Sequence, residues 1–157
     1  TEKKTHGGIS MKTKRRALIP ALLSGILALG LLARSSTRLA MDLLYPFSTA
    51  DTAAHELRIF WKQLGEGICG ALYAVYLLGL LVLLCLAWSG KLRARCSSAL
   101  LFLLSQGGLA LLCTLPFAWV DSHAFFDYLF PLWELCASLL LFFLLYGAAA
   151  LVRARRR

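Results

Sequence analysis

The stretch Gly67–Gly90, GICGALYAVYLLGLLVLLCLAWSG, contains no charged residue, and Glu66 and Lys91 bound it with charges on either side. A helix needs about 20 residues to cross a hydrocarbon core of roughly 30 Å. Because backbone groups in lipid must bond within the chain, a run this long and uniformly apolar predicts a membrane-spanning helix.

Three further apolar runs resemble it and cover about residues 17–34, 96–120 and 131–152. Apolar residues make up 59% of the chain, and the mean hydropathy is +0.70. A soluble domain of 157 residues has too little interior to bury so much apolar surface. The sequence therefore predicts an all-α, polytopic membrane protein whose four transmembrane helices lie within a domain of residues 17–152.

Positive charge is concentrated on one side of these spans. Most of the 17 Lys and Arg residues lie before span one, between spans two and three, or after span four. Because such residues are retained on the cytoplasmic side, we expect basic cytoplasmic tails at 1–16 and 153–157, with both termini cytoplasmic, in the plasma (inner) membrane. Membrane topology then explains the net charge of +9. The sequence has no basic stripe interleaved with aromatic residues, so nucleic-acid binding is not expected.

An amphipathic segment precedes the second span. It begins at His55 like a zinc-protease helix, but Ile59 stands where the second histidine of an HExxH motif binds the metal. Its apolar residues recur instead at the spacing of one helix face. These residues are Ala53, Leu57, Phe60, Trp61 and Leu64. We expect an outer amphipathic helix over about 49–64, with a glycine bend into the span; one continuous helix is the alternative.

Span three carries one strongly polar side chain near the middle of the membrane, Gln106. An amide in hydrocarbon is costly without a partner, so Gln106, with Ser105 and Thr114, is the candidate intramembrane polar contact. A hydrogen bond between helices is one interpretation, and the lining of a substrate path is the other. The central parts of the spans contain no ionisable Asp, Glu, Lys, Arg or His residue, which argues against a proton-coupled carrier.

Small residues spaced for close helix contact occur in spans one to three. Helices in lipid approach each other most closely through such residues. The expected packing positions are Ala17, Ala21, Gly25, Gly67, Gly70, Ala71, Ala74, Gly107 and Gly108. Much of the bulkier fourth span is then free to face lipid or a large apolar partner.

Carboxylates and imidazoles gather on the expected outer side. They are His55, Glu66, Asp121, His123, Asp127 and Glu134. Such groups can bind a cation or act as acid and base, but their spacing has no metal-site regularity. We therefore expect no catalytic residue, no metal and no cofactor.

No motif in the sequence specifies a reaction or a substrate. The small size and the spans without central charges favour a non-catalytic accessory or scaffold subunit of a larger membrane complex, such as a transporter or secretion system. Its expected partners are membrane lipids and another integral membrane protein or a second copy of itself.

Two alternative functions stay open. One is a small homo-oligomeric channel or transporter, which would expose Gln106 to water. The other is a small membrane enzyme acting on lipid or quinone at the outer surface, which would need the outer carboxylates and histidines to converge.

Overall fold

A computed structural model describes residues 6–44, 52–89, 96–120 and 125–155 of the chain. They form four long helices, α1 (His6–Leu44), α2 (Thr52–Trp88), α3 (Cys96–Val120) and α4 (Phe125–Arg155). All four are long and apolar enough to cross a membrane, which is the pattern of a multi-pass membrane protein. The predictions of an all-α fold and of four apolar helices are therefore confirmed.

The helices pack side by side in a ring. The main contacts join α1 to α2, α2 to α4, α4 to α3, and α3 back to α1. Tyr73 of α2 bonds to α4 near Glu134, and Ala87 of α2 bonds to Arg153, so α2 and α4 run parallel. We call the end of the bundle where α1 ends at Leu44 and α2 begins at Thr52 the hairpin end.

The core is built from one apolar stripe on each helix. In α4 the buried positions recur every three or four residues, as one helix face requires. They are Tyr128, Pro131, Leu135, Leu139, Phe142, Tyr146 and Ala149. Leucines continue the core at the same spacing in α1, at Leu23, Leu27 and Leu31. The large apolar side chains on the other faces are mostly exposed, which suits helices surrounded by lipid.

The second helix differs from the prediction made for it. α2 is one unbroken helix of 37 residues, so the separate amphipathic helix expected over 49–64 is wrong in its described part, and the continuous alternative applies. The face turned towards α1 also differs, since Arg58 and Gly65 are buried whereas Leu57, Phe60 and Leu64 are exposed. Ion pairing explains the buried arginine, and close backbone approach explains the buried glycine.

The helices also extend beyond the expected spans. α1 starts at His6 and continues past residue 34 to Leu44, and α4 starts at Phe125, before residue 131. At about 1.5 Å per residue, α1 and α2 are each about 55–60 Å long, nearly twice the hydrocarbon thickness. A charged residue ends the part of a helix that lipid tails can cover, but it does not end the helix.

Candidate functional site

Four charged side chains connect three helices at the hairpin end. Arg38 Nη2 donates to Asp127 Oδ2 at 2.5 Å, which joins α1 to α4. Arg58 Nη2 donates to Asp42 Oδ1 at 2.5 Å, which joins α2 to α1. Asp42 also lies 3.6 Å from Arg38 Nε. The Arg58 pair matters more for stability than the Arg38–Asp127 pair, because the side chain of Asp127 is 58% exposed and water screens that contact.

A cavity of about 280 Å³ lies next to these ion pairs, between α1, α2 and α4. Its apolar walls come from Ile26, Leu27, Leu31, Phe130, Pro131 and Leu135, with Gly30 and Gly70. Its polar lining comes from Arg34, Glu66, Cys69, Tyr73 and Glu134. The exposed lining residues belong to α2 and α4, so the cavity opens to the outside of the bundle between these two helices.

Three of the lining side chains carry formal charges, and we call them the charged rim: Arg34, Glu66 and Glu134. Within the described parts of the chain, none of the three side chains forms an ion pair or a hydrogen bond. Their donors and acceptors are therefore available to a ligand in the cavity.

Tyr73 joins α2 to α4 at the end of the cavity farthest from the hairpin end. Its hydroxyl donates to the carbonyl oxygen of Glu134 at 3.1 Å and lies 2.9 Å from Ser138 Oγ. Its ring stacks on Tyr76, with 6.1 Å between the ring centroids. A bond between helices thus sets the position from which Glu134 extends.

Glycines allow α1 and α2 to pack closely beside the cavity. A Cβ atom added to Gly30 would lie 3.4 Å from Leu72 Cβ. One added to Gly65 would contact the side chain of Thr37 and lie 3.5 Å from Arg34 Cα. The two backbones therefore approach closely at the level of the cavity, at Gly30 and beside Glu66.

The small residues expected to pack the helices lie mostly on open or exposed faces, not at the helix contacts. A Cβ atom on Gly25, Gly67, Gly70, Gly107 or Gly108 would meet nothing within 4 Å. Ala21, Ala71 and Ala74 are exposed, and the side chain of Ala17 lies outside the described residues. Among the described glycines, the ones in close contact with a neighbouring helix are Gly30, Gly65 and Gly79, all between α1 and α2. A spacing of four marks a face of a helix, but it does not say which face turns inward.

Gln106 lies wholly inside the bundle on α3, with 0% of its surface exposed. Its Nε2 donates to Ser24 Oγ of α1 at 2.6 Å, so it forms a hydrogen bond between helices. Thr114 is also buried, and Ser105 is exposed; both hydroxyls donate to carbonyl oxygens of their own helix. Gln106 and Thr114 thus face the interior of one chain, and a pore between copies would need other residues to line it.

The described members of the expected group of carboxylates and histidines lie at different places in the structure. Glu66 and Glu134 share the cavity, and Asp127 pairs with α1. His55 stands about 16 Å along α2 from Glu66. Asp121 and His123 lie outside the described residues. Among the residues that the structure describes, no group of three His, Cys, Asp or Glu side chains is placed to hold a metal ion.

Two residues of the cavity had no signal of their own in the sequence. Arg34 looks like the charged border of span one, and Tyr73 looks like one more apolar residue of span two. Only the packing of α1, α2 and α4 brings them together with Glu134. The result is a site with charges of both signs at the mouth of an apolar cavity, which suits a ligand of the same mixed character.

Comparisons with protein-family models, with curated proteins and with solved structures found no match. The function proposed for the chain therefore rests on its geometry.

Proposed function

We propose that this chain is a non-catalytic accessory or scaffold subunit that packs against another integral membrane protein of a larger complex. One observation carries the proposal, an exposed apolar face on the part of α2 nearest the hairpin end. Leu57, Phe60 and Leu64 are 44%, 54% and 38% exposed. Their spacing of three and four places them on one side of the helix. We call these three residues the apolar face.

The apolar face lies beyond the part of α2 that lipid tails cover. Between Trp88 and the first charge, Glu66, α2 runs for about 33 Å, which already matches the hydrocarbon thickness. Residues 52–65 extend past that level by up to about 20 Å. Apolar side chains there meet headgroups and water, and exposed apolar patches of this kind mark interaction surfaces.

The ion pair between Arg58 and Asp42 supports a protein as the partner of this face. It holds the extension of α2 against the end of α1, so α2 continues straight and does not fold down onto the membrane surface. A partner that also projects beyond the bilayer would cover the apolar face and bury its area.

We infer in addition that the hairpin end is extracytoplasmic and that both termini are cytoplasmic, in the plasma (inner) membrane. The basic last turn of α4, with Arg153 and Arg155, supports this orientation. Asp42, Glu56 and Glu66 lie towards the opposite end of the bundle. This distribution follows the retention of Lys and Arg on the cytoplasmic side.

The substitution Phe60→Glu tests the proposed partner surface. We expect the variant to lose a protein that copurifies with the wild type in fixed stoichiometry in mild detergent, because a carboxylate would have to be buried in the interface. Lys62→Glu is the control, since Lys62 is exposed on a different side of α2 and receives the same group. A wild-type chain that purifies alone, or a partner retained by Phe60→Glu, would contradict the proposal.

A further inference from the structure

The cavity beside the ion pairs has a chemistry that the proposed subunit role does not use. We propose that it binds the headgroup of a zwitterionic phospholipid with a primary amine, a phosphoethanolamine lipid. Arg34 receives the phosphate, and Glu66 with Glu134 receives the ammonium group. This inference does not depend on the proposed function.

The charges of the rim select this headgroup. A guanidinium donates several hydrogen bonds in a planar fork that fits phosphate oxygens. Carboxylates only accept hydrogen bonds, so they need a donor such as a primary ammonium group. An anionic headgroup without an amine would place its negative charge beside Glu66 and Glu134. A quaternary ammonium headgroup has no N–H to donate to them.

The order of the lining residues along α1 matches a lipid standing upright. Arg34 lies at the hairpin-end side of the cavity, and Leu31, Leu27 and Ile26 continue the wall about 12 Å towards the middle of the span. The charged rim is thus at the depth of a headgroup, and the apolar wall is at the depth of the first acyl carbons. The opening between α2 and α4 gives access directly from the bilayer.

The size of the cavity limits what enters it. Its volume of about 280 Å³ is just below the range of small-molecule sites, which is about 300–1,000 Å³. A headgroup with the start of one acyl chain fits this volume, while the remaining lipid stays in the membrane.

The helix contacts hold the backbone that carries Arg34 and Glu134 before a ligand arrives. A Cβ atom added to Gly65 would lie 3.5 Å from Arg34 Cα, so that turn of α1 packs closely against α2. The Tyr73 hydroxyl bonds to the backbone of Glu134 and so holds that turn of α4. Binding therefore orders few backbone groups, which favours affinity.

A first experiment fills the cavity without changing its charges. Gly70 lines the cavity, and an added Cβ would meet nothing within 4 Å, so Gly70→Leu adds volume where the ligand would lie. Gly67→Leu is the matched control, because Gly67 has the same open surroundings and is not a lining residue. The purified chain, stripped of lipid, is incubated with equal amounts of phosphatidylethanolamine, phosphatidylglycerol and phosphatidylcholine, and retained lipid is counted by native mass spectrometry.

We expect the wild type and Gly67→Leu to retain phosphatidylethanolamine over the other two lipids. Gly70→Leu should retain roughly tenfold less of it, as expected from losing charge-assisted hydrogen bonds. Equal retention of all three lipids by the wild type, or wild-type retention by Gly70→Leu, would overturn the proposal.

A second experiment changes the charges and keeps the shape. Glu66→Gln combined with Glu134→Gln leaves Arg34 as the charge of the rim, so preference should shift from phosphatidylethanolamine to phosphatidylglycerol. Glu56→Gln, an exposed carboxylate on the same helix, is the control and should retain the wild-type preference. An unchanged preference in the double variant would contradict the assignment of the ammonium site.

The charge experiment carries the test if Gly70→Leu does not fold, since Glu66 and Glu134 are exposed and tolerate an isosteric amide. A single peak in size-exclusion chromatography and wild-type helix content by circular dichroism establish folding. Because the lipid assay uses the isolated chain, loss of a protein partner through Phe60→Glu leaves its result unchanged, and the two proposals fail separately.

Discussion

Gln106 shows what a single residue reveals in a sequence and what it conceals. An amide in the middle of an apolar span must find a partner, so its importance is evident from the sequence alone. Its partner is not evident, because Ser24 is one of several hydroxyl residues that can bond to their own helix. Ser24 does donate to its own helix, at Pro20, and still accepts from Gln106.

We expect Ser24→Ala and Gln106→Leu to be coupled by about 0.6 kcal/mol in the free energy of unfolding, as is typical of hydrogen bonds between membrane helices. Ser24→Ala should be the more costly single change. Gln106 Oε1 is buried and has no hydrogen-bond partner among the described residues, so Gln106→Leu also removes an unsatisfied oxygen. A double-mutant cycle in a denaturing detergent measures the coupling, and strictly additive costs would rule the bond out.

Tyr76 and Tyr73 are stacked neighbours with opposite expected responses to loss of the hydroxyl. The Tyr76 hydroxyl is buried without a hydrogen-bond partner in the described part of the chain, whereas the Tyr73 hydroxyl bonds to α4. Tyr76→Phe should leave the free energy of unfolding unchanged or raise it by up to about 1 kcal/mol, and Tyr73→Phe should lower it by a similar amount. The same detergent titration measures both variants. A larger loss of unfolding free energy for Tyr76→Phe than for Tyr73→Phe would contradict the hydrogen bonding described for the two hydroxyls.

At the scale of the helix, the sequence predicts where apolar runs lie but not where helices end or which face packs. Arg34 and Glu66 end the uncharged runs, yet both lie inside longer helices. The buried face of α2 includes Arg58, which hydrophobic periodicity assigns to the outside. Its partner Asp42 comes from the previous helix, and periodicity within one segment carries no information about such a partner.

Gly65 tests the close contact between α1 and α2. A methyl group there meets Thr37, whose hydroxyl donates to the carbonyl oxygen of Ala33 at 2.9 Å and cannot move freely. Gly65→Ala should therefore lower the free energy of unfolding by about 1–3 kcal/mol through overpacking. Gly67→Ala is the control in open space and should be neutral or stabilising, since alanine favours helix. Equal effects of the two changes would contradict the contact.

Gly79→Ala should fall between these two variants in its effect on unfolding. Its added Cβ meets Leu23, but the nearest atom is the far end of a flexible side chain that can turn aside. The detergent titration used for Gly65→Ala ranks the three, and a loss as large as that of Gly65→Ala would show that Leu23 cannot yield.

At the scale of the whole molecule, the proposed orientation predicts which positions face the cell exterior. In a cysteine-free chain in intact cells, a membrane-impermeant maleimide should label Glu56→Cys and leave Ser89→Cys unlabelled until the membrane is opened. Both positions are exposed and lie towards opposite ends of α2, so accessibility within the protein does not explain a difference. Labelling of Ser89→Cys alone would reverse the orientation.

Composition and charge-free run length determine the architecture, because the cost of placing polar groups in lipid leaves few options. The cavity is different in kind. Arg34, Glu66 and Glu134 come from three helices, and their meeting depends on the ring order and on the rotation of each helix. Those properties arise from contacts between distant segments, which no local pattern in this sequence specifies.

The unbroken course of α2 has a mechanical consequence. Phe60 and Tyr73 lie about 20 Å apart on one continuous helix, so a tilt of the helix at one position also moves the other. A protein that binds at Phe60 and tilts α2 would change the affinity of the cavity beside Tyr73 for a lipid. Thermodynamic linkage then requires a lipid in that cavity to change the affinity for the protein by the same factor. The lipid composition of the bilayer would then regulate how tightly the chain binds a protein partner beyond the membrane surface.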